Sequence, residues 1–132
     1  MSPLPPSPDR LTPIGAGQVR LKNRAEFLRA AAKGRKAATH GLVLQALRRD
    51  DDGPARIGFT VTKKIGGAVV RNRTRRRLKE AARLELAHDK IPGVDLVLIG
   101  REATRGRAFL DLRDDLRRAL RKAGVNAEAP VA

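Results

Sequence analysis

Residues 63–80 read KKIGGAVVRNRTRRRLKE and follow directly on the alternating run RIGFTVT at 56–62. Eight cationic side chains stand against one acid in those 18 residues. The alternation predicts a strand over 56–62, with Ile57, Phe59 and Val61 on one face and Gly58, Thr60 and Thr62 on the other. Gly66 and Gly67 read as a tight turn. A helix is expected over about 71–88. At about 100° per residue from Leu78, the positions Thr74, Ala81, Ala82, Glu85 and Leu86 fall on one side and form the face to bury. Arg73, Arg76, Arg77, Lys79 and Arg83 fall mainly on the other. Arg71 and Arg75 flank the apolar side, with Asn72 among them. On this reading, cations from Arg71 to Lys79 crowd a helix start, where the dipole disfavours each by roughly several tenths of a kcal/mol. Such a surface is expected to meet a polyanion whose phosphates take up the guanidinium forks.

The rest of the composition agrees. The chain has 132 residues and a formal charge of +15, so one domain and an anionic partner are expected. Arginine outnumbers lysine 21 to 8, which suits forked phosphate contacts. Cysteine is absent, which excludes disulfides and thiolate chemistry. No apolar run is long enough to span a membrane, and the start MSPLPPSPDR has no signal-peptide core. A cytoplasmic protein is the expectation. Only three aromatics are present, so base stacking must be sparse.

Outward from the motif, residues 1–17 hold five prolines and read as a flexible N-terminal arm; 125–132 read as a disordered tail. The folded part is expected over 18–124. Residues 22–33 predict a first helix with Phe27, Leu28, Ala31 and Ala32 as its apolar stripe, stopped at Gly34. Strand pattern follows over 35–49, with a break at Gly41. Asp50–Asp52 with Gly53 and Pro54 form an acidic, solvated turn. Val94–Ile99 is a nearly continuous apolar strand. A last helix is expected over 105–123, its buried face marked by Phe109, Leu112, Leu116, Ala119, Leu120 and Ala123, and Gly124 suits its cap. Asp111, Asp114 and Asp115 are placed on its outer side, beside Arg117 and Arg118. Strands mixed with helices imply helices packed on one sheet.

Catalytic chemistry is not legible. His40 and His88 lie far apart with no acidic orienter, and the acidic turn lacks convergent ligand geometry. The Gly-Gly turn lacks phosphate-loop spacing. No catalytic residue and no protein-borne metal site are expected.

The string RIGFTVTKKIGGAVVRNRTRRRLKEAAR resembles the signature of the bacterial ribonuclease P protein component, centred on Arg71-Asn72-Arg73. RLKNRAEF, GLVLQAL and VDLVLIGR are similar to its first-helix entry, early strand and D-[ILV]-V-x-x-x-R strand. The resemblance covers roughly residues 10–123. It implies an α+β fold, a small two-layer sandwich of order α-β-β-β-α-β-α, similar to the second domain of a small-subunit ribosomal protein. It also implies a left-handed β-α-β crossover, against the usual right-handed rule. The implied partners are a catalytic RNA and precursor tRNA, with no membrane and no small-molecule substrate. The RNA, with Mg2+ bound mainly by it, would remove the 5′ leader endonucleolytically while the protein assists. Carried over by position, Lys63, Lys64, Arg71, Asn72, Arg73, Arg75, Arg76, Arg77, Lys79 and Arg83 would serve RNA. Phe27, Val43, Gln45 and Thr60 would line a leader groove, with Ala31 and Gln45 standing where aromatics are common. An RNA-binding protein of the ribosome or its assembly, without catalytic role, is the alternative.

Overall fold

The computed structural model describes residues 19–21, 23–51, 53–86 and 93–125. The arm over 1–17, residues 126–132 of the tail, Asp52 and His88 lie outside them, whereas Val125, expected in the tail over 125–132, is described and packs into the core at 3% exposed. In chain order the elements are β1 (Val19–Arg20), α1 (Arg24–Lys33), β2 (Arg35–Ala38), β3 (Leu42–Arg48), β4 (Arg56–Thr60), a 3-10 turn (Lys63–Ile65), α2 (Ala68–Glu85), β5 (Val94–Gly100), α3 (Glu102–Gly106) and α4 (Phe109–Lys122). The α-β-β-β-α-β-α order is present, with β1 added in front and α3 inserted before the last helix. The sheet runs β1-β4-β5-β3-β2. β1/β4 and β4/β5 are parallel; β3 is antiparallel to both β5 and β2.

Alternation decides the faces. Leu42 and Leu44 of β3, Ile57 and Phe59 of β4, and Leu96 and Leu98 of β5 form one core with Leu78, Ala81 and Ala82 of α2 and Leu112, Leu116 and Leu120 of α4. Each such leucine removed from water contributes about 1.5–3 kcal/mol. Because Ile57 faces this core, the crossover hand can be read from one bond. The Leu21 amide donates to the Ile57 carbonyl at 2.9 Å, so that carbonyl points toward β1. In a strand of L-residues running upward with this side chain toward the viewer, the carbonyl points right. β1 is then right of β4, β5 is left of it, and α2 lies in front. The β4-α2-β5 crossover is left-handed, the rare hand.

α1 lies on the opposite face. Asn23 and Glu26 form a capping box at its start; the Asn23 carboxamide oxygen accepts from the Glu26 amide at 3.0 Å. The expected stripe is rotated: Ala30 is fully buried, whereas Leu28 is 54% exposed and Ala31 and Ala32 are exposed. The cause is Gly58. A Cβ there would stand 2.4 Å from two Phe27 ring atoms, so the bare backbone lets Phe27 reach over β4 and turns positions 27 and 30 inward. Gly58→Ala is expected to destabilise the fold by about 1–3 kcal/mol in urea titration. An unchanged midpoint would show that Phe27 swings away freely.

The single last helix expected over 105–123 is instead two. Arg107 and Ala108 leave helical geometry, with ψ of 133° and 140°. Arg107 turns back to donate to Asp115 at 2.8 Å. Asp115 is therefore not on the outer side: it is 1% exposed, beside Leu112 and Leu116 on the buried stripe, with Arg107 as counter-charge. Asp114 keeps the outer place and pairs with Arg118 at 2.9 Å. The Gly124 and Val125 amides close α4 on the Arg121 and Leu120 carbonyls.

Candidate nucleic-acid interface

The cationic helix begins three residues earlier than the charge pattern suggests. Gly66, at φ 150°, takes a backbone conformation that other residues rarely adopt, and extended Gly67 is the N-cap. Ala68, Val69 and Val70 make the first turn, and the Arg71 amide already donates to the Gly67 carbonyl at 2.9 Å. The cations therefore run along the body of α2, not over its dipole end. No side chain caps that end, which leaves the first-turn amides without intrahelical acceptors. Lys63 and Lys64 stand exposed on the 3-10 turn between β4 and α2.

The expected RNA residues separate by what holds them. Arg73 and Arg76 are exposed and, like Lys63 and Lys64, make no side-chain hydrogen bond or ion pair among the described residues. Arg71 is half-buried, and its Nε is buried with no hydrogen-bond partner, an open donor inside the motif. Arg75 donates to the Asn72 side chain at 3.1 Å, so it keeps its charge unopposed. Lys79 is half-buried on the same flank. Arg83 pairs with Glu80 one turn away, which holds the exposed Glu80 carboxyl below its usual range. Arg77 is committed within the fold: Nε donates to the Thr104 carbonyl at 3.1 Å, Nη2 donates to the Arg107 carbonyl, and the guanidinium lies 6.0 Å from the Phe109 ring centroid. It ties α2 to the α3–α4 corner and has little left to offer a ligand.

All four residues expected to line a groove do share one sheet face. Val43 and Thr60 both stand opposite Ile99, and Gln45 and Gly58 both stand opposite Val97. Val43, Thr60, Ile99 and Phe27 are half-buried and form an open apolar strip. Gln45 is 7% exposed and adds little surface.

Sequence reasoning missed three things. Ile99 completes the strip; only strand register brings it beside Val43 and Thr60. Arg101, the last residue of the VDLVLIGR stretch, donates to the Thr39 carbonyl at 2.7 Å at the same sheet end. Arg56 and Asp95, each part of a stretch that carried the resemblance, are partners of each other at 2.8 Å. Among the described residues no group of three or more His, Cys, Asp or Glu is placed to hold a metal. No helix of the described residues is long and apolar enough to cross a membrane.

The fold and its surface define a small α+β domain that carries a cationic helix on a left-handed crossover beside an open sheet face. The chain belongs to the ribonuclease P protein component family. Residues 16–124 match the ribonuclease P family. The chain is 69% identical over 106 residues to the ribonuclease P protein component of Gluconacetobacter diazotrophicus, covering 80% of this chain and 91% of that one. It is 52% identical over 106 residues to that of Ruegeria pomeroyi, covering 77% and 83%. Among solved structures it is similar to the RNase P protein of Staphylococcus aureus (TM-score 0.67, 29% identity, 83% and 97% covered) and to that of Thermotoga maritima (TM-score 0.66, 26% identity, 78% and 96% covered).

Proposed function

We propose that this chain is the protein subunit of a ribonuclease P holoenzyme, acting in the cytoplasm. It binds the catalytic RNA and helps remove the 5′ leader of precursor tRNA to give the mature 5′ end. Arg71, Asn72, Arg73, Arg75, Arg76 and Lys79, with Lys63 and Lys64, hold RNA phosphates. The strip of Phe27, Val43 and Thr60, to which we add Ile99, carries the single-stranded leader. The chain supplies no attacking group. Its task is to neutralise phosphate repulsion, so that Mg2+ bound mainly by the RNA is retained at the site of cleavage.

One contrast carries this reading. α4 is also rich in arginine, but three of its four are paired, Arg113 and Arg117 with Glu85 and Arg118 with Asp114, and only the exposed Arg121 near its end has no carboxylate partner among the described residues. On α2, by contrast, Arg71, Arg73, Arg75 and Arg76 form no ion pair with a carboxylate among the described residues. A solvated surface mixes signs, as α4 does; a surface built for a polyanion leaves its charges open. Processing of precursor tRNA by the RNA subunit at low Mg2+, with and without this protein, tests it. The protein is expected to raise the rate; equal rates would remove the functional claim.

A further inference from the structure

A cleft of about 430 Å3 opens between α2 and α3, lined by Val70, Arg73, Thr74, Arg77, Glu102, Arg105 and Gly106. Its two walls are rigidly related. Arg77 ties α2 to the carbonyls of Thr104 and Arg107. On the far side of α3, the buried Thr104 hydroxyl donates to the Gly41 carbonyl at 2.6 Å and accepts from the Arg101 amide at 2.8 Å. α3 spans only five residues, yet it is fixed to both the helix and the sheet. Arg73 and Arg105 project from these fixed walls. Both are exposed, and neither side chain makes a hydrogen bond or ion pair among the described residues. Three guanidinium groups against one carboxylate, Glu102, favour an anion. The volume is within the range of small-molecule clefts, about 300–1,000 Å3, and accommodates a sugar-phosphate unit.

We propose that this cleft takes one phosphodiester of the RNA partner, held between Arg73 and Arg105, with Arg77 as the positioning residue. The proposal rests on the RNA-binding reading above and adds Arg105, which lies outside the Arg-Asn-Arg motif. Two planar forks from opposing walls can both engage the non-bridging oxygens of one phosphate. Asn72, Arg75 and Lys79 lie on the other flank of α2, so the helix presents donors to RNA on both sides.

Two open glycines and the absence of cysteine provide the test. A Cβ at Gly106, on the cleft rim, or at Gly67, at the start of α2, meets nothing within 4 Å. Gly106→Cys and Gly67→Cys therefore each place a unique thiol for a tethered iron chelate that cuts nearby RNA backbone. With the full RNA subunit, both positions are expected to cut at discrete nucleotides. Cutting from position 67 alone would overturn the cleft proposal and leave the function standing. Silence from both would overturn the RNA-binding reading, and the proposal with it. In parallel, Arg105→Ala is expected to weaken RNA binding about tenfold and to lower the slope of log K against log salt by about 0.7–0.9, one phosphate contact. Arg105→Lys should restore most of that slope. An unchanged slope in Arg105→Ala, with saturable binding of inorganic phosphate at the cleft, would assign it to free phosphate and overturn the proposal.

Discussion

Asp95→Ala is expected to destabilise the fold by about 3–5 kcal/mol, because it strands two partly buried arginines without their shared carboxylate. Asp95 is 0% exposed. It accepts from Arg49 Nη1 at 2.7 Å, and from Arg56 Nε and Nη2, each at 2.8 Å. Burial works against the Arg49 charge, but hydrogen bonds to Asp51 and Asp95 outweigh it and hold its pKa above the usual value. The Asp95 hydrogen bond is the main cause of the same shift at Arg56. Arg56 also pairs with Glu26, so the network fastens α1 to the sheet. For a domain of this size, 1 kcal/mol moves Tm by roughly 4–8 °C, so the loss should reach at least about 12 °C. Thermal and urea melts followed by circular dichroism measure it. A loss below about 1 kcal/mol would mean that the two arginines find water or other acceptors at little cost. Asp50→Ala is the control; Asp50 is exposed and makes no side-chain hydrogen bond or ion pair among the described residues, so its removal should change the melt little.

Charge reversal on α2 is the second large effect. Arg73→Glu should weaken binding to the catalytic RNA by about 10–100-fold at physiological salt, since it removes a phosphate contact and adds repulsion. Arg118→Glu makes the same change in net charge but acts on a residue already paired with Asp114, so it should cost far less. Fluorescence titration of labelled RNA across a salt series separates them, with the slope falling for Arg73→Glu and nearly unchanged for Arg118→Glu. Comparable losses would show that total charge alone attracts RNA and that the position of the motif is irrelevant.

Much of this was legible from local pattern. Period-two alternation placed Ile57, Phe59 and Val61 on one face, and helical spacing found the buried side of α2, because both signals depend only on backbone geometry. Glycine, proline and cap residues marked most element ends. Local pattern failed where a distant residue decided. Gly58, in a strand, rotated α1 through Phe27. Asp115 looked solvent-facing until Arg107 turned back to meet it. Arg77 looked like a ligand-binding cation until Thr104 and Arg107 supplied carbonyls from 27 and 30 residues away. α2 starts before its cations because Ala68, Val69 and Val70 take helical geometry behind Gly67, a start that the charge run by itself does not mark.

The sequence by itself determined the order of the main elements, though not β1 or the break between α3 and α4, the sign and crowding of charge on one helix and, through the Arg-Asn-Arg string and its flanks, the family. These are properties of neighbouring residues, and backbone geometry transmits them without reference to the rest of the chain. Tertiary structure alone decided which cations remain open to a ligand, which are spent inside the fold, and that Arg73 and Arg105 line one cleft. Whether a guanidinium is available depends on acceptors brought from far along the chain, and only packing sets those distances.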